Sequence, residues 1–330
     1  MFSFDYIKIA QYRFTFIPDD FIIMPEKGKG NVIRGAFGTT LKRICCINQN
    51  LVDCKDCLDR SRCAYHFIFN PVNLISQKRM RDTPRGFVVK PPLALRTEYT
   101  KEVPFVFYMV LVGKLIDFIP WLIVPMSELG KFGIGKNRRK FILGDVSMVF
   151  DDINLSLYDP KTRIFKNHGD YITGESILKK AEKLSKYRIT MEFLTPTRIK
   201  YNLKGTKGSS TLIKEPEFHH IFRRLLGRIS SISLAYFEKP IDIDYEDLTG
   251  KALNIKKIDE NLNWVGLTRK SKTEYDRFNR HTIHDQSGFV GKMTFGGDFT
   301  EFLPFLVLGE YLHVGDDTVF GNGWYRLVNE

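Results

Sequence analysis

Two short segments share one pattern. Phe132-Gly133-Ile134-Gly135 and Phe320-Gly321-Asn322-Gly323 each follow an apolar stretch and precede a run containing arginine, Arg138 and Arg139 in the first case and Arg326 in the second. Glycine tolerates the left-handed backbone that a side chain resists, so a glycine pair at a matched place marks a matched turn. A pattern recurring once per half signals a repeated unit rather than one continuous core. The length, 330 residues, suits two domains of ordinary size.

Apolar periodicity assigns each half the same order of elements. Residues 2–17 are rich in aromatic and β-branched side chains and read as a strand. Val32, Ile33, Ala36, Phe37, Leu41 and Ile44 recur at helical spacing behind Asn31, a residue able to cap a helix start. Residues 64–70, 87–95 and 105–112 read as strands, 115–129 as a helix despite Pro120, and 140–150 as a strand. In the second half, residues 186–193 read as a strand and 216–237 as an amphipathic helix. Phe218, Ile221, Phe222, Leu225, Ile229, Ile232 and Tyr236 share one face of it, and Arg223, Arg224 and Arg228 fall off that face. Residues 254–269 and 289–295 follow as strands, 299–313 as a helix and 323–328 as a last strand. Strand, helix, strand, strand, helix, strand is the ferredoxin-like order. The expected fold is therefore α+β, with two tandem ferredoxin-like (βαββαβ) domains over residues 1–150 and 186–330. A linker with polar turns is expected over 151–185, and a cysteine-rich insertion over about residues 45–64.

Lys and Arg number 50 against 38 Asp and Glu, a formal net charge of +12. Residues 186–239 hold 11 basic and 4 acidic side chains, a net of +7 in about a sixth of the chain. A concentrated basic surface attracts polyanions, which favours nucleic acid or an acidic membrane surface as partner. The longest apolar stretch, residues 103–126, is broken by Lys114, Asp117, Pro120 and Pro125, so a spanning helix is not expected. No export signal opens the sequence, and a cytoplasmic protein is expected.

The segment from Val314 to Arg326 combines these signals. Gly315, Gly321 and Gly323 allow close approach of a ligand to backbone, and Tyr325 and Arg326 can stack on a base or pair with phosphate. The alternative is a loop that only turns the chain. No Gly-Lys-Ser/Thr follows, so it is not a nucleotide-triphosphate loop. It opens a strand rather than a helix, so it is not a dinucleotide fingerprint.

The tail Gly288-Phe-Val-Gly291-Lys-Met-Thr-Phe-Gly296-Gly297-Asp298, with Phe302-Leu-Pro304, Gly309-Glu-Tyr-Leu-His313-Val-Gly315 and Thr318-Val-Phe-Gly321-Asn-Gly323-Trp-Tyr325, resembles the C-terminal domain of the CRISPR repeat-RNA processing endoribonucleases of the RAMP superfamily. Arg34-Gly-Ala-Phe-Gly38, the cysteine cluster and Pro84-Arg-Gly-Phe-Val are similar to the same family in the first half. The resemblance implies metal-independent cleavage of CRISPR precursor RNA within its repeats. The 2′-hydroxyl would attack phosphorus, leaving a 2′,3′-cyclic phosphate and a 5′-hydroxyl. It implies CRISPR repeat RNA as partner, a CRISPR effector complex as a further one, and neither membrane nor DNA. Where the family often has a basic residue after the Val-Gly pair, this chain has Asp316 and Asp317.

Such chemistry needs a general base, an acid and a cation on the phosphate oxygens. The family often carries a histidine on or near its first helix, and this chain has none before His66. His313 inside the matched tail is the first candidate for the base, with an ordering role for the loop as its alternative, and His281 and His284 come next. Lys42 or Arg34 could clamp phosphate. Arg223, Arg224, Arg228 and Lys204 are candidate RNA contacts, or a solvated face. A non-cleaving RNA-binding subunit of the same superfamily is the second reading, and a metal-stabilised protein-interaction module the third.

Cys46, Cys54, Cys57 and Cys63 place four thiols within 18 residues, with Cys45 adjacent. Two cysteines separated by two residues can reach one ion, and four thiolates suit tetrahedral zinc, with an iron–sulfur cluster as the rival. Such a site is structural, since four sulfurs leave no position open for catalysis.

Overall fold

The structure, a computed structural model, describes residues 4–49, 51, 54–71, 83–150, 153–166, 169–202, 210–270 and 282–328. The chain divides into two compact units, one built on residues 8–172 and the other on residues 4–7, 173–270 and 283–328.

The first unit grows from β1 (Lys8–Pro18), which buries Tyr12, Phe14 and Phe16 at every second position, the spacing at which a strand returns to the same face. After β2 (Phe21–Ile23), helix α1 (Lys29–Cys45) carries Ile33, Phe37 and Leu41 inward. Its start is set by Gly28, in the left-handed region at φ 73°, and not by Asn31, whose amide donates to the Gly28 carbonyl. Ile44, expected on the buried face, is 37% exposed.

Residues 64–70 form helix α2 (Ala64–Phe69) where a strand was expected. Ala64, His66 and Ile68 are buried in alternation, which imitates a strand, yet Tyr65 and Phe69, four apart, stack at 5.3 Å as helix neighbours do. A Cβ on Gly38 would collide with the Phe69 ring, so glycine is what lets α1 lie against α2.

Strands β3 (Phe87–Lys90), β4 (Glu98–Thr100) and β5 (Phe105–Val112) precede helix α3 (Pro120–Phe132), where Pro120 takes the tolerated first-turn position. Strands β6 (Phe141–Phe150) and β7 (Ile153–Tyr158) complete the sheet, ordered β3-β5-β1-β6-β7. Phe14 stacks on Phe107 of β5 at 5.4 Å. Each buried Phe contributes roughly 1.5–3 kcal/mol.

The expected linker over 151–185 is largely structured. β7 pairs with β6 and buries Leu157 and Tyr158. β8 (Ile172–Thr173) leads into helix α4 (Gly174–Glu182), whose first turn is capped by the Thr173 hydroxyl. The polar turn at Asp159 exists, but it joins elements instead of separating domains.

The second unit runs β9 (Arg188–Thr197), β10 (Ile199–Tyr201), β11 (Thr211–Ile213), α5 (Phe218–Ile232), α6 (Tyr245–Lys251), β12 (Lys256–Val265), β13 (Thr268–Lys270), β14 (Ile283–Asp285), β15 (Gly288–Gly296), α7 (Leu303–Leu312) and β16 (Tyr325–Val328). Its main sheet is ordered β12-β15-β9-β16. Numbered by the six-element unit, both sheets read second, third, first, fourth strand, so each unit is ferredoxin-like. All seven residues assigned to the apolar face of residues 216–237 are buried. Phe218 anchors that core, its ring 5.3–5.6 Å from those of Phe222, Phe295, Phe299 and Phe302. Among the described residues no helix is long and apolar enough to cross a membrane.

Candidate nucleic-acid interface

The glycine loop joins α7 to β16, and six of its amides donate within the protein. Val314 N–H donates to the Gly323 carbonyl, Asp316 N–H to Arg198, Phe320 N–H to Asp317, Gly321 N–H to Thr318 and Gly323 N–H to Pro196. The Thr195 hydroxyl accepts from Trp324 N–H at 2.9 Å and donates to the Gly321 carbonyl at 2.8 Å. Gly315, Gly321 and Gly323 hold φ of 94°, 90° and 71°. A Cβ on Gly315 would press on the Arg198 carbonyl, and one on Gly323 on the Val314 carbonyl. The three glycines therefore serve the chain's own turn. Amides already donating to protein carbonyls cannot also cradle a phosphate.

Two side chains expected to face RNA are interior. Tyr325 is 0% exposed and donates its hydroxyl to the Leu306 carbonyl at 2.7 Å, and burial pushes its phenol well above the ordinary range. His313 is 0% exposed, in a left-handed backbone at φ 62°, with Nδ1 3.1 Å from the Asn322 carbonyl and its ring parallel to Trp324 at 5.9 Å. A sealed imidazole cannot take a proton from a ribose in solution. The ring orders the loop.

The outward charge lies on α5 and its neighbours. Arg223 and Arg224 are exposed, whereas Arg228 is half-buried and donates Nε–H to the Leu312 carbonyl, ending α7. Burial lowers the Arg228 guanidinium to about 10. Arg228 is thus a helix cap rather than an RNA contact. Asp316 binds Lys200 at 2.8 Å and Arg224 at 2.7 Å. Arg326 is exposed and paired with Glu192 at 2.5 Å. Arg198 bonds Asp285 at 2.9 Å. Lys204 lies outside the described residues, as do His168 and His281.

Sequence reasoning passed over the start of α5. His219 and His220 have ring centroids 3.9 Å apart, with Tyr201 of β10 edge-on to both and Arg223 donating to the Tyr201 hydroxyl at 3.2 Å. The adjacent His-His pair ahead of Arg-Arg was visible in the sequence. Its strand partner, 18 residues earlier, was not.

The remaining candidates make contacts within their own units. Arg34 lies 4.1 Å over the Phe69 ring. His284 sits opposite Arg269 in the β13–β14 ladder. Lys42 donates to the Leu51 carbonyl at 3.1 Å and lines a cavity with Cys46, Cys54, Cys57, Cys63 and His66. The Asn48 amide donates to the Cys57 sulfur at 3.4 Å. Among the described residues no three Cys, His, Asp or Glu side chains converge as a metal-binding group.

Residues 191–325 match the family model of CRISPR-associated endoribonuclease Cas6, and residues 7–170 match AF_1859_N, a family described as an N-terminal domain. An uncharacterized protein of Archaeoglobus fulgidus is 27% identical over 199 residues, 60% of this chain. The match spans 61% of that relative, less than two thirds of its length. Among solved structures, a Cas6 product complex superposes with TM-score 0.54 at 14% identity, over 97% of this chain and 100% of that one. Thermus thermophilus Cas6 gives 0.52 at 13%, over 98% and 99%. A partial Cas6-RT-Cas1–Cas2 complex gives 0.57 at 13%, over 99% of this chain and 47% of that one. Likeness at these identities concerns the fold.

Proposed function

We propose, from a chain that belongs through residues 191–325 to the CRISPR-associated endoribonuclease Cas6 family, that this protein binds CRISPR repeat RNA and cuts it within the repeat. The carrying observation is that family match, over a unit whose exposed α5 face presents Arg223, Arg224 and the neighbouring Lys200. Such a face meets the phosphate backbone, with an affinity that falls steeply with salt. Cleavage proceeds by attack of the ribose 2′-hydroxyl on the adjacent phosphorus, leaving a 2′,3′-cyclic phosphate and a 5′-hydroxyl, without a metal ion. Imidazole, phenol and guanidinium groups suffice for it.

The burial of His313 and the stacking of Arg34 on Phe69 favour a second reading, an RNA-binding subunit that does not cut, docked in a CRISPR effector complex. The two readings separate on purified protein, repeat RNA and EDTA. Cutting of the ribose substrate, with a copy 2′-deoxy at the cut site left intact, supports the endoribonuclease. Tight binding of an uncut ribose substrate supports the subunit.

A structural zinc ion on Cys46, Cys54, Cys57 and Cys63 is part of the same proposal. The four thiols line one cavity of about 10 Å³ with Lys42 and Arg60. Four thiolates suit tetrahedral zinc, with an iron–sulfur cluster as the alternative. Two nearby cations offset the charge of four thiolates, and the Asn48 amide reaches Cys57 as an outer-shell donor does. Holding the ion requires rotation of the cysteine side chains about single bonds. It takes no part in cleavage.

A further inference from the structure

Three groups at one end of α5 have different tasks to spare. His220 accepts the Glu217 N–H on Nδ1 at 3.0 Å, so its ring belongs to the helix cap. Burial holds it neutral, down to about 4. His219 is half-buried beside it, and among the described residues neither of its ring nitrogens has a hydrogen-bond partner or is sealed from solvent. Burial lowers its pKa, Glu217 opposes that and Arg223 adds to it, so at neutral pH the ring is a proton acceptor. Tyr201 stands edge-on, 6.0 Å from His219 between centroids. Its oxygen accepts from Arg223 at 3.2 Å, which leaves its own proton free to donate. Arg223 is exposed and lies one helical turn beyond His219 on the same face.

We propose that His219, Tyr201 and Arg223 are the catalytic cluster for cleavage of the repeat RNA, with His219 as general base, Arg223 as phosphate clamp and Tyr201 as general acid. This rests on the endoribonuclease reading. The 2′-hydroxyl proton passes to a ring nitrogen of His219 as O2′ bonds to phosphorus. The bond from phosphorus to O5′ breaks, and O5′ takes the phenolic proton of Tyr201. The Arg223 guanidinium bears on the non-bridging oxygens and on the phenolate left behind. Exchange with solvent water returns His219 and Tyr201 to their starting states. No other histidine among the described residues offers this. His313 and His66 are buried, at 0% and 2% exposure, His220 is bound into the cap and His284 lies in a hairpin ladder.

The test is single-turnover cleavage of CRISPR repeat RNA at saturating protein, with binding measured on 2′-deoxy substrate. His219→Gln lowers the rate by about 10²–10⁴ and leaves binding within about threefold. The wild-type rate falls on acidification with a midpoint below 6.5, the ordinary histidine value, and His219→Gln loses that limb while His220→Gln keeps it. The charged and titratable groups facing His219 are Glu217 at the cap of α5, His220 and Arg223 of α5 and Tyr201 of β10, with Lys257 of β12 beside His220. Tyr201→Phe, which removes only one oxygen, lowers the rate at least about tenfold and keeps the test valid if His219→Gln melts early. Undiminished cutting by a folded His219→Gln, with its acid limb intact, overturns the cluster and leaves the endoribonuclease reading standing. Wild-type protein that binds and does not cut overturns both.

Discussion

The Arg224 guanidinium stands 2.7 Å from one oxygen of Asp316, and Lys200 holds the other at 2.8 Å. One carboxylate thus restrains two cations on the face assigned to RNA. Asp316→Asn is expected to tighten repeat-RNA binding at low salt and to steepen the dependence of log affinity on log salt by about 1–2. Titration over a range of salt measures both. Weaker binding at every salt would make Asp316 an organiser of the cations rather than a restraint on them.

His313 is a packing residue. His313→Ala empties a sealed site between Asn322 and Trp324 and is expected to destabilise the fold by roughly 2–4 kcal/mol. Thermal unfolding measures the loss. At a temperature where the variant stays folded, its cleavage rate matches wild type. A rate loss beyond about tenfold in folded protein would restore His313 as a catalyst.

His220 links stability to acidity. Its folded-state value of about 4 lies below the ordinary 6.5, because burial disfavours the charged ring. The native state refuses a proton that the unfolded chain takes up. The stabilisation is therefore complete above pH 6.5 and is lost as pH falls from 6.5 towards 4. The melting temperature is expected to decline through that window, and His220→Asn, which keeps a side-chain acceptor for the cap, flattens the decline. An unchanged slope in the variant would place the effect elsewhere.

Metal analysis checks the cysteines. Purified protein is expected to carry about one zinc per chain and to be colourless, and Cys54→Ser together with Cys57→Ser to lose the ion and to melt lower. A brown protein with visible absorption would assign an iron–sulfur cluster instead. Metal-free protein with an unaltered melting temperature in the double variant would remove the site.

Periodicity revealed the repeated unit because burial of one face repeats along each element. Phe218 to Ile232 and the paired Phe-Gly-x-Gly turns are local patterns of that kind. The roles of individual polar residues were harder to read. Tyr325 and Arg326 are neighbours of equal promise in the sequence, and strand alternation sends one hydroxyl inward to Leu306 and the other side chain outward to Glu192. Arg223 and Arg228 look alike on a helix face, yet only Arg228 meets the end of α7. Such pairings are long-range, and no window of neighbouring residues contains them.

The Thr195 hydroxyl, bonded both to Trp324 and to Gly321, has a thermodynamic consequence. A loop pinned by these internal bonds has less conformational entropy left to surrender. Any association that needs this loop held in its present shape therefore carries a small ordering cost on the protein side.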